Sequence, residues 1–124
     1  MQNYKRLRVT ASAREVIRQT YTLTRHFPKE ELFGLTSQMR RAAISIGLNI
    51  AEESGRRGWR DKLRLFETSR SSAMELELAI VVSGDLAYGD TDRLEQLSKT
   101  TDRTLRELTA LISAIEKGRR NDRS

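Results

Sequence analysis

The fold is decided by the stretch Leu94-Glu-Gln-Leu-Ser-Lys-Thr-Thr-Asp-Arg-Thr-Leu-Arg-Glu-Leu-Thr-Ala-Leu-Ile-Ser-Ala-Ile115. Its core positions are spaced at threes and fours: Leu94, Leu97, Thr101, Leu105, Leu108, Ile112 and Ile115. This is the period of one side of an α-helix, and so regular a seam is typical of helices packed side by side. It predicts a helix over about residues 91–117, capped by Asp90 or Thr91 and followed by a basic, frayed tail at 118–124.

Three more stretches upstream show helical periodicity, over about residues 7–26, 36–54 and 60–85. Phe27-Pro28 ends the first because the residue before a proline is pushed out of the helical region. Thr36 or Ser37 is the natural N-cap of the second. Long helices joined by short links must be antiparallel to their neighbours. The sequence therefore predicts an all-α fold, an antiparallel up-down four-helix bundle in one domain over residues 1–124.

Composition and net charge limit the classes of function that the protein can have. The 124 residues carry 23 Lys and Arg against 17 Asp and Glu, a net charge of +6, which favours anionic partners. Cysteine is absent, which excludes disulfides, thiolate zinc sites and cysteine nucleophiles. No apolar run approaches the length of a membrane span. We therefore expect a cytoplasmic protein that does not associate with membranes.

The second predicted helix carries more apolar residues than one core needs. Its core stripe consists of Leu35, Met39, Ala42, Ala43, Ile46 and Ile50. A second apolar group lies on another side of the helix and consists of Ile44, Gly47, Leu48 and Ala51. One layer of neighbours in a small bundle cannot cover both sides. The second group is therefore predicted to be a subunit interface.

A polar stripe runs between these two sides at spacings of three and four: Gln38, Arg41, Ser45, Asn49, Glu52 and Arg56. It can be read as a solvated helix face. Ser and Asn, however, are unfavourable inside helices unless they bond to something particular. We therefore predict a structural polar network in which Arg41 and Asn49 bond to Glu75 or Glu77, within one chain or between chains.

The junction of the second and third helices is rich in cations around a single tryptophan. The predicted nucleic-acid contacts are Arg56, Arg57, Trp59, Arg60, Lys62 and Arg64, with Arg40 one helix away. Arginine can pair phosphates through two hydrogen bonds, while Trp59 either stacks on a base or packs on the end of the bundle.

Catalysis has little support in the sequence. The single histidine, His26, stands at a predicted helix end, where a cation ordinarily stabilises the helix dipole. Glu-x-x-His pairs, a glycine-rich phosphate loop and a nucleophile elbow are all missing from the sequence. We predict a non-enzymatic protein with no catalytic residue, cofactor or metal.

Several motifs in order carry a resemblance to a known family. They are Tyr21-Thr-Leu-Thr-Arg-His-Phe-Pro-Lys-Glu-Glu31, Gly34-Leu-Thr-Ser-Gln-Met-Arg-Arg-Ala-Ala-Ile-Ser-Ile46, Asn49-Ile-Ala-Glu-Glu53, Phe66 and Ser72-Ala-Met-Glu-Leu-Glu77. Over about residues 7–88 the chain resembles the four-helix-bundle family encoded in 23S rRNA intervening sequences. The resemblance implies small bundles that assemble into rings, typically pentamers. The family is also similar to the accessory variability determinant of diversity-generating retroelements, a basic ring that binds nucleic acid and a reverse transcriptase.

The chain departs from the family pattern at two positions. Gly47 stands where a proline commonly follows Ser-Ile, which predicts a straighter second helix. Glu53 stands where a glycine commonly follows Asn-Ile-Ala-Glu, so a sharp turn directly after Glu52 is not expected.

Two functions remain open from the sequence. The first is a homo-oligomer, a pentameric ring, that binds structured RNA or DNA through basic patches. The second is a ring that docks a protein partner, such as a reverse transcriptase, with its positive charge serving only solubility.

Overall fold

The computed structural model describes the backbone of residues 3–123 and the side chains of residues 4–119. It has four helices: α1 (Asn3–Thr24), α2 (Leu35–Glu53), α3 (Trp59–Asp85) and α4 (Thr91–Arg123), with a short 3-10 turn at Lys29–Glu31. Within those residues there is no strand, so the predicted all-α class is confirmed. The region predicted to be a frayed tail is helical as far as Arg123, and Ser124 lies outside the described residues.

Each helix packs against two others, α1 and α3 each contacting both α2 and α4. This closed square of neighbours, joined by short links, is the predicted antiparallel up-down bundle. Its core is centred on Phe66, Met39, Ile46, Leu76 and Leu108, all fully buried, and it contains the predicted core residues Met39, Ile46 and Leu108. The expected seam of α4 also faces inward, with Leu97, Thr101 and Ile112 buried.

Several buried threonines in α1 and α4 satisfy their hydroxyls on their own helices, whereas the hydroxyl of Thr101 has no hydrogen-bond partner among the described residues. Thr20 and Thr24 donate to the carbonyls of Val16 and Thr20, at 2.7 and 2.8 Å. Thr104 donates in the same way to Thr100, at 2.9 Å. A buried hydroxyl costs little free energy once it is hydrogen-bonded, so these residues can occupy core positions.

The start of α2 differs from the prediction. The helix begins at Leu35, two or three residues earlier than a Thr36 or Ser37 cap requires, and Thr36 is buried within it. Its first backbone N–H, that of Leu35, instead donates to Oε1 of Glu31 at 3.0 Å. Tyr88 donates to the other oxygen of Glu31 at 3.1 Å, and burial with this acceptor raises the pKa of Tyr88. The Glu31 carboxylate thus connects the link between α1 and α2 with the link between α3 and α4, at one end of the bundle.

The link from α3 to α4 requires a glycine. Gly89 has φ +78°, in the left-handed region, and Asp90 then caps α4 by accepting from the Asp92 N–H at 3.0 Å. A Cβ at Gly89 would lie 2.7 Å from Cδ1 of Leu23 and 3.0 Å from the ring of Phe27. Both the backbone conformation and the packing therefore exclude a side chain here.

Replacing Gly89 with alanine is expected to lower the free energy of unfolding by about 2 kcal/mol, because the strained φ and the clash with Leu23 act together. Urea denaturation measures this. The matched control is Gly84→Ala in α3, where a Cβ meets nothing within 4 Å and the helix gains about 0.5–1 kcal/mol. Equal effects of the two substitutions would contradict the role given to Gly89.

Candidate functional site

The up-down topology gathers cations at one end of the bundle. The start of α1, the end of α2, the start of α3 and the last turns of α4 meet there. Residues 3–10, 52–64 and 114–119 hold ten Lys and Arg against four Asp and Glu. At the opposite end, residues 22–34 and 85–95 hold three Lys and Arg against six Asp and Glu. We call the first set the basic end; the bundle is electrically polar along its long axis.

A buried carboxylate organises the basic end. Glu53 is fully buried, and its carboxylate forms ion pairs with Arg6 at 2.8 Å and with Lys62 at 3.1 Å. These three residues come from α2, α1 and α3, so the ion pairs join three helices. Arg6 and Lys62 are each about three-quarters buried. Lys62, predicted as a nucleic-acid contact, therefore has its charge directed into the bundle.

No structural role was predicted for Glu53 from the sequence. A signal was present, because Ile46, Ile50 and Glu53 continue the core spacing of α2 by four and three residues. A carboxylate at a core position has to be paired. Its partners are 47 and 9 residues away in the sequence, so only the fold identifies them.

Trp59 begins α3 and is half-buried at the basic end. The guanidinium carbons of Arg60 and Arg119 lie 5.2 and 5.1 Å from its ring centroid. Trp59 thus lies against side chains of α3 and α4, and its stacking on a base stays a prediction. Cation–π contact orients a guanidinium and leaves its N–H groups free to donate. Arg119, 60 residues further along the chain, was missing from the predicted contacts.

The other predicted contacts differ in their surroundings. Arg56 pairs with Glu52 at 2.9 Å and Arg64 with Asp61 at 3.8 Å, all four side chains being well exposed. Arg57 and Arg60 are exposed, and no carboxylate among the described residues lies within ion-pair distance of them. These cations can therefore bind an external anion at little cost.

Arg40 is separate from the basic end. Its Nε donates to Thr24 at 3.0 Å and its guanidinium lies 4.7 Å from the ring centroid of Tyr21. It stands 13 residues before the end of α2, which is about 20 Å along the helix. The sequence-based grouping of Arg40 with the junction cations is therefore not reproduced in the fold.

The polar stripe of α2 makes short-range contacts. Ser45 hydrogen-bonds Ser72 of α3 at 2.7 Å, and Asn49 donates to the Ser45 carbonyl at 2.8 Å. Gln38 and Arg41 are exposed. In the part of the chain that the structure describes, no hydrogen bond or ion pair joins Arg41 or Asn49 to Glu75 or Glu77.

The within-chain form of that predicted network is thus wrong. Ser69, Ser72 and Ser83 occupy the side of α3 that faces α2, and their small side chains bring the helices close. Glu75 is exposed outside that contact. The between-chain form stays a prediction.

The second apolar group of α2 borders an open groove of about 780 Å³. Ile44 and Leu48 line it together with Leu32 and Phe33, from the link before α2. Phe33 is 93 % exposed and Leu48 is 64 % exposed. Of the other two predicted interface residues, Ala51 is exposed, whereas a Cβ on Gly47 would lie 3.0 Å from Ile17 of α1. Gly47 thus lies at a contact within the chain.

A second exposed apolar surface lies on α3 and was not predicted. Met74, Leu78 and Val81 are spaced at i, i+4 and i+7, and each is between 57 and 66 % exposed. The spacing puts them on one side of the helix. We call this the α3 stripe, and the groove on α2 the α2 groove.

The part of the chain that the structure describes lacks two further features. No helix there is long and apolar enough to cross a bilayer. No group of three His, Asp or Glu residues there is placed to hold a metal ion.

The chain shares its family and its fold with known proteins. No curated protein sequence matches it significantly. Its fold is similar to the 1.70 Å crystal structure of a protein of unknown function from the S23 ribosomal protein family of Bacteroides thetaiotaomicron. The TM-score is 0.81 and the sequence identity is 20 %, and the match covers 88 % of this chain and 98 % of that one. The model of the family described as 23S rRNA-intervening sequence protein matches residues 5–110. The bundle, the motifs along it and this match together show that the chain belongs to the 23S rRNA-intervening sequence protein family.

Proposed function

We propose that this protein binds nucleic acid, structured RNA above all, through its basic end, and that it does so as a homo-oligomer without catalysing a reaction. The observation that carries the proposal is the segregation of charge. Ten cations stand against four acids at one end of the bundle, while the other end is acidic. Such a concentration of one sign attracts a polyanion to one place.

The contacts are to phosphate. Arg60 and Arg119 hold their guanidinium groups against Trp59, and Arg57 is exposed at the same end of the bundle. Arginine suits phosphate because its planar fork donates two parallel hydrogen bonds. No module that reads base edges is present in the described residues, so we expect shape and charge to decide which nucleic acid binds.

Assembly strengthens weak binding. A single copy at +6 gains little from charge alone, whereas a pentamer would carry about +30, five times that charge. Several basic ends that reach one RNA also raise the effective concentration of each further contact.

The test is the fluorescence anisotropy of a labelled RNA hairpin titrated with the protein at several salt concentrations. Binding at micromolar or tighter concentration that weakens steeply with salt is expected, because phosphate contacts release counterions. No binding at low salt would contradict the proposal and favour a scaffold that docks a protein partner.

A further inference from the structure

We infer that the basic end binds unpaired nucleotides, whose bases stack on the rings of Tyr4 and Trp59, so that its ligand is the loop or the single-stranded end of an RNA. The inference rests on the nucleic-acid binding proposed above and names the part of an RNA that this end of the bundle recognises. Cations attract any polyanion, whereas aromatic rings stack on bases that have left a duplex.

Tyr4 is an aromatic side chain outside the core. It lies in the first turn of α1 and is 55 % exposed, whereas Tyr21 and Tyr88 are half-buried. The guanidinium carbon of Arg8, itself an exposed residue, lies 5.6 Å from the centroid of its ring. A guanidinium plane can also stack on a base, so it enlarges the stacking surface. Tyr4 thus presents a ring and a cation to solvent at the basic end.

Trp59 is the counterpart of Tyr4 on α3. The guanidinium carbons of Arg60 and Arg119 lie 5.2 and 5.1 Å from its ring centroid. The ring is half-buried, so its position is fixed while part of its surface remains open to a ligand. The two arginines can pair the phosphate of the nucleotide whose base stacks here. Two helices therefore each supply one ring together with its cations.

The two aromatic residues lie at nearly the same height on the bundle. Arg6 of α1 and Lys62 of α3 both pair with Glu53, which places them close to one level. Tyr4 comes two residues before that level on α1, and Trp59 comes three residues before it on α3. At 1.5 Å per residue, both lie within about 5 Å of this level, on the side of the bundle end. One ligand at the end of the bundle can therefore contact both rings.

The separation of the two rings sets the size of the ligand. Among the described residues α1 and α3 each pack on α2 and α4 and not on each other, so they are diagonal in the square of helices. Neighbouring helices pack about 8–10 Å apart, which makes the diagonal about 11–14 Å. Stacked bases of one strand are about 3.4 Å apart. Several unpaired nucleotides are therefore needed to reach from one ring to the other.

The charge around the rings favours nucleic acid over a protein partner. Exposed tyrosine and tryptophan also occur at protein interfaces, but the centre of such an interface is depleted in charged residues. Here the rings stand among ten Lys and Arg and four Asp and Glu. Aromatic rings set among cations are the combination that binds unpaired nucleic acid.

The test compares a labelled single-stranded RNA that forms no hairpin with the same strand annealed to its complement, by fluorescence anisotropy. Charge alone favours the duplex, because it has more phosphates at a higher density. Stacking favours the single strand, which we expect to bind about tenfold more tightly. Unlabelled single strand should also quench the fluorescence of Trp59, the single tryptophan, and the duplex should not.

The outcomes separate this inference from the proposed function. Equal or tighter binding of the duplex, or unchanged Trp59 fluorescence with the single strand, would overturn the inference and leave RNA binding through the basic end in place. No binding of either RNA at low salt would overturn the proposed function itself.

A variant of Tyr4 tests the stacking contact directly. Tyr4→Leu removes the ring, and the fold is expected to persist because this side chain is 55 % exposed. It should lower the affinity for the single strand by about tenfold and leave the salt slope unchanged, since no phosphate contact is lost. Tyr4→Phe is the matched control, because it keeps the ring and should bind like the unmodified protein. Undiminished affinity of Tyr4→Leu, or an equal loss in Tyr4→Phe, would overturn the stacking role of Tyr4.

Discussion

Reversing the charge of Arg57, Arg60 and Arg64 to glutamate is expected to lower RNA affinity by about a hundredfold or more at low salt. The three side chains lie at the basic end, and none is buried. Each phosphate contact contributes about 0.9 to the slope of log affinity against log salt. The slope should therefore fall by about three when all three contacts are lost. Anisotropy titrations over a range of salt concentrations measure both quantities.

A matched triple variant distinguishes the effect of where the charges lie from the effect of the net charge. Arg93, Arg103 and Arg106 lie on α4 outside the basic end, and their reversal changes the net charge by the same amount. This control should keep most of the RNA affinity. If both triple variants lost affinity equally, binding would reflect net charge alone and the basic end would have no special role.

A variant of Arg119 tests whether α4 belongs to the nucleic-acid-binding surface. Its guanidinium lies against Trp59 beside Arg60. Arg119→Glu is expected to weaken RNA binding by about tenfold and to lower the salt slope by about one. An unchanged affinity would remove α4 from the binding surface.

Replacing Arg6 and Lys62 together with methionine is expected to lower the free energy of unfolding by about 3–5 kcal/mol. Both cations pair with Glu53, which is fully buried. Without them a carboxylate is left inside the bundle with no compensating charge, while methionine keeps most of the side-chain volume. Chemical denaturation monitored by circular dichroism measures the loss.

Arg56→Met is the control for this prediction. Arg56 also pairs with a glutamate, Glu52, but both side chains are about half exposed. Water replaces the partner of an exposed charge, so the loss should stay below about 1 kcal/mol. A similarly small loss in the Arg6 and Lys62 double variant would show that Glu53 does not anchor the three helices.

Helix positions and core residues were predictable because both depend on local spacing. The period of α4 alone identified Leu97, Leu108 and Ile112 as buried, and they are. The start of α2 was not predictable in the same way. Its first N–H is bonded by Glu31, a long side chain that reaches forward from the preceding turn, whereas propensity favours a short cap such as Thr36.

The basic end was predictable in part. The run from Arg56 to Arg64 is contiguous in the sequence, so its charge and its tryptophan could be recognised together. Arg119 and Arg6 join it from the two ends of the chain. Their approach depends on the number and direction of the helices between them. Composition and spacing do not contain that information for single residues.

The sequence by itself determined four helices, the residues that face their core, and a basic net charge, because a helix side is set by a period of 3.6 residues along one segment. The tertiary structure alone decided that Glu53 would meet Arg6 and Lys62, and that Arg119 would lie against Trp59. It also decided that Tyr4 and Trp59 would lie at the same end of the bundle. These juxtapositions join residues far apart in the chain, and they exist only once packing has set which helix ends and sides meet.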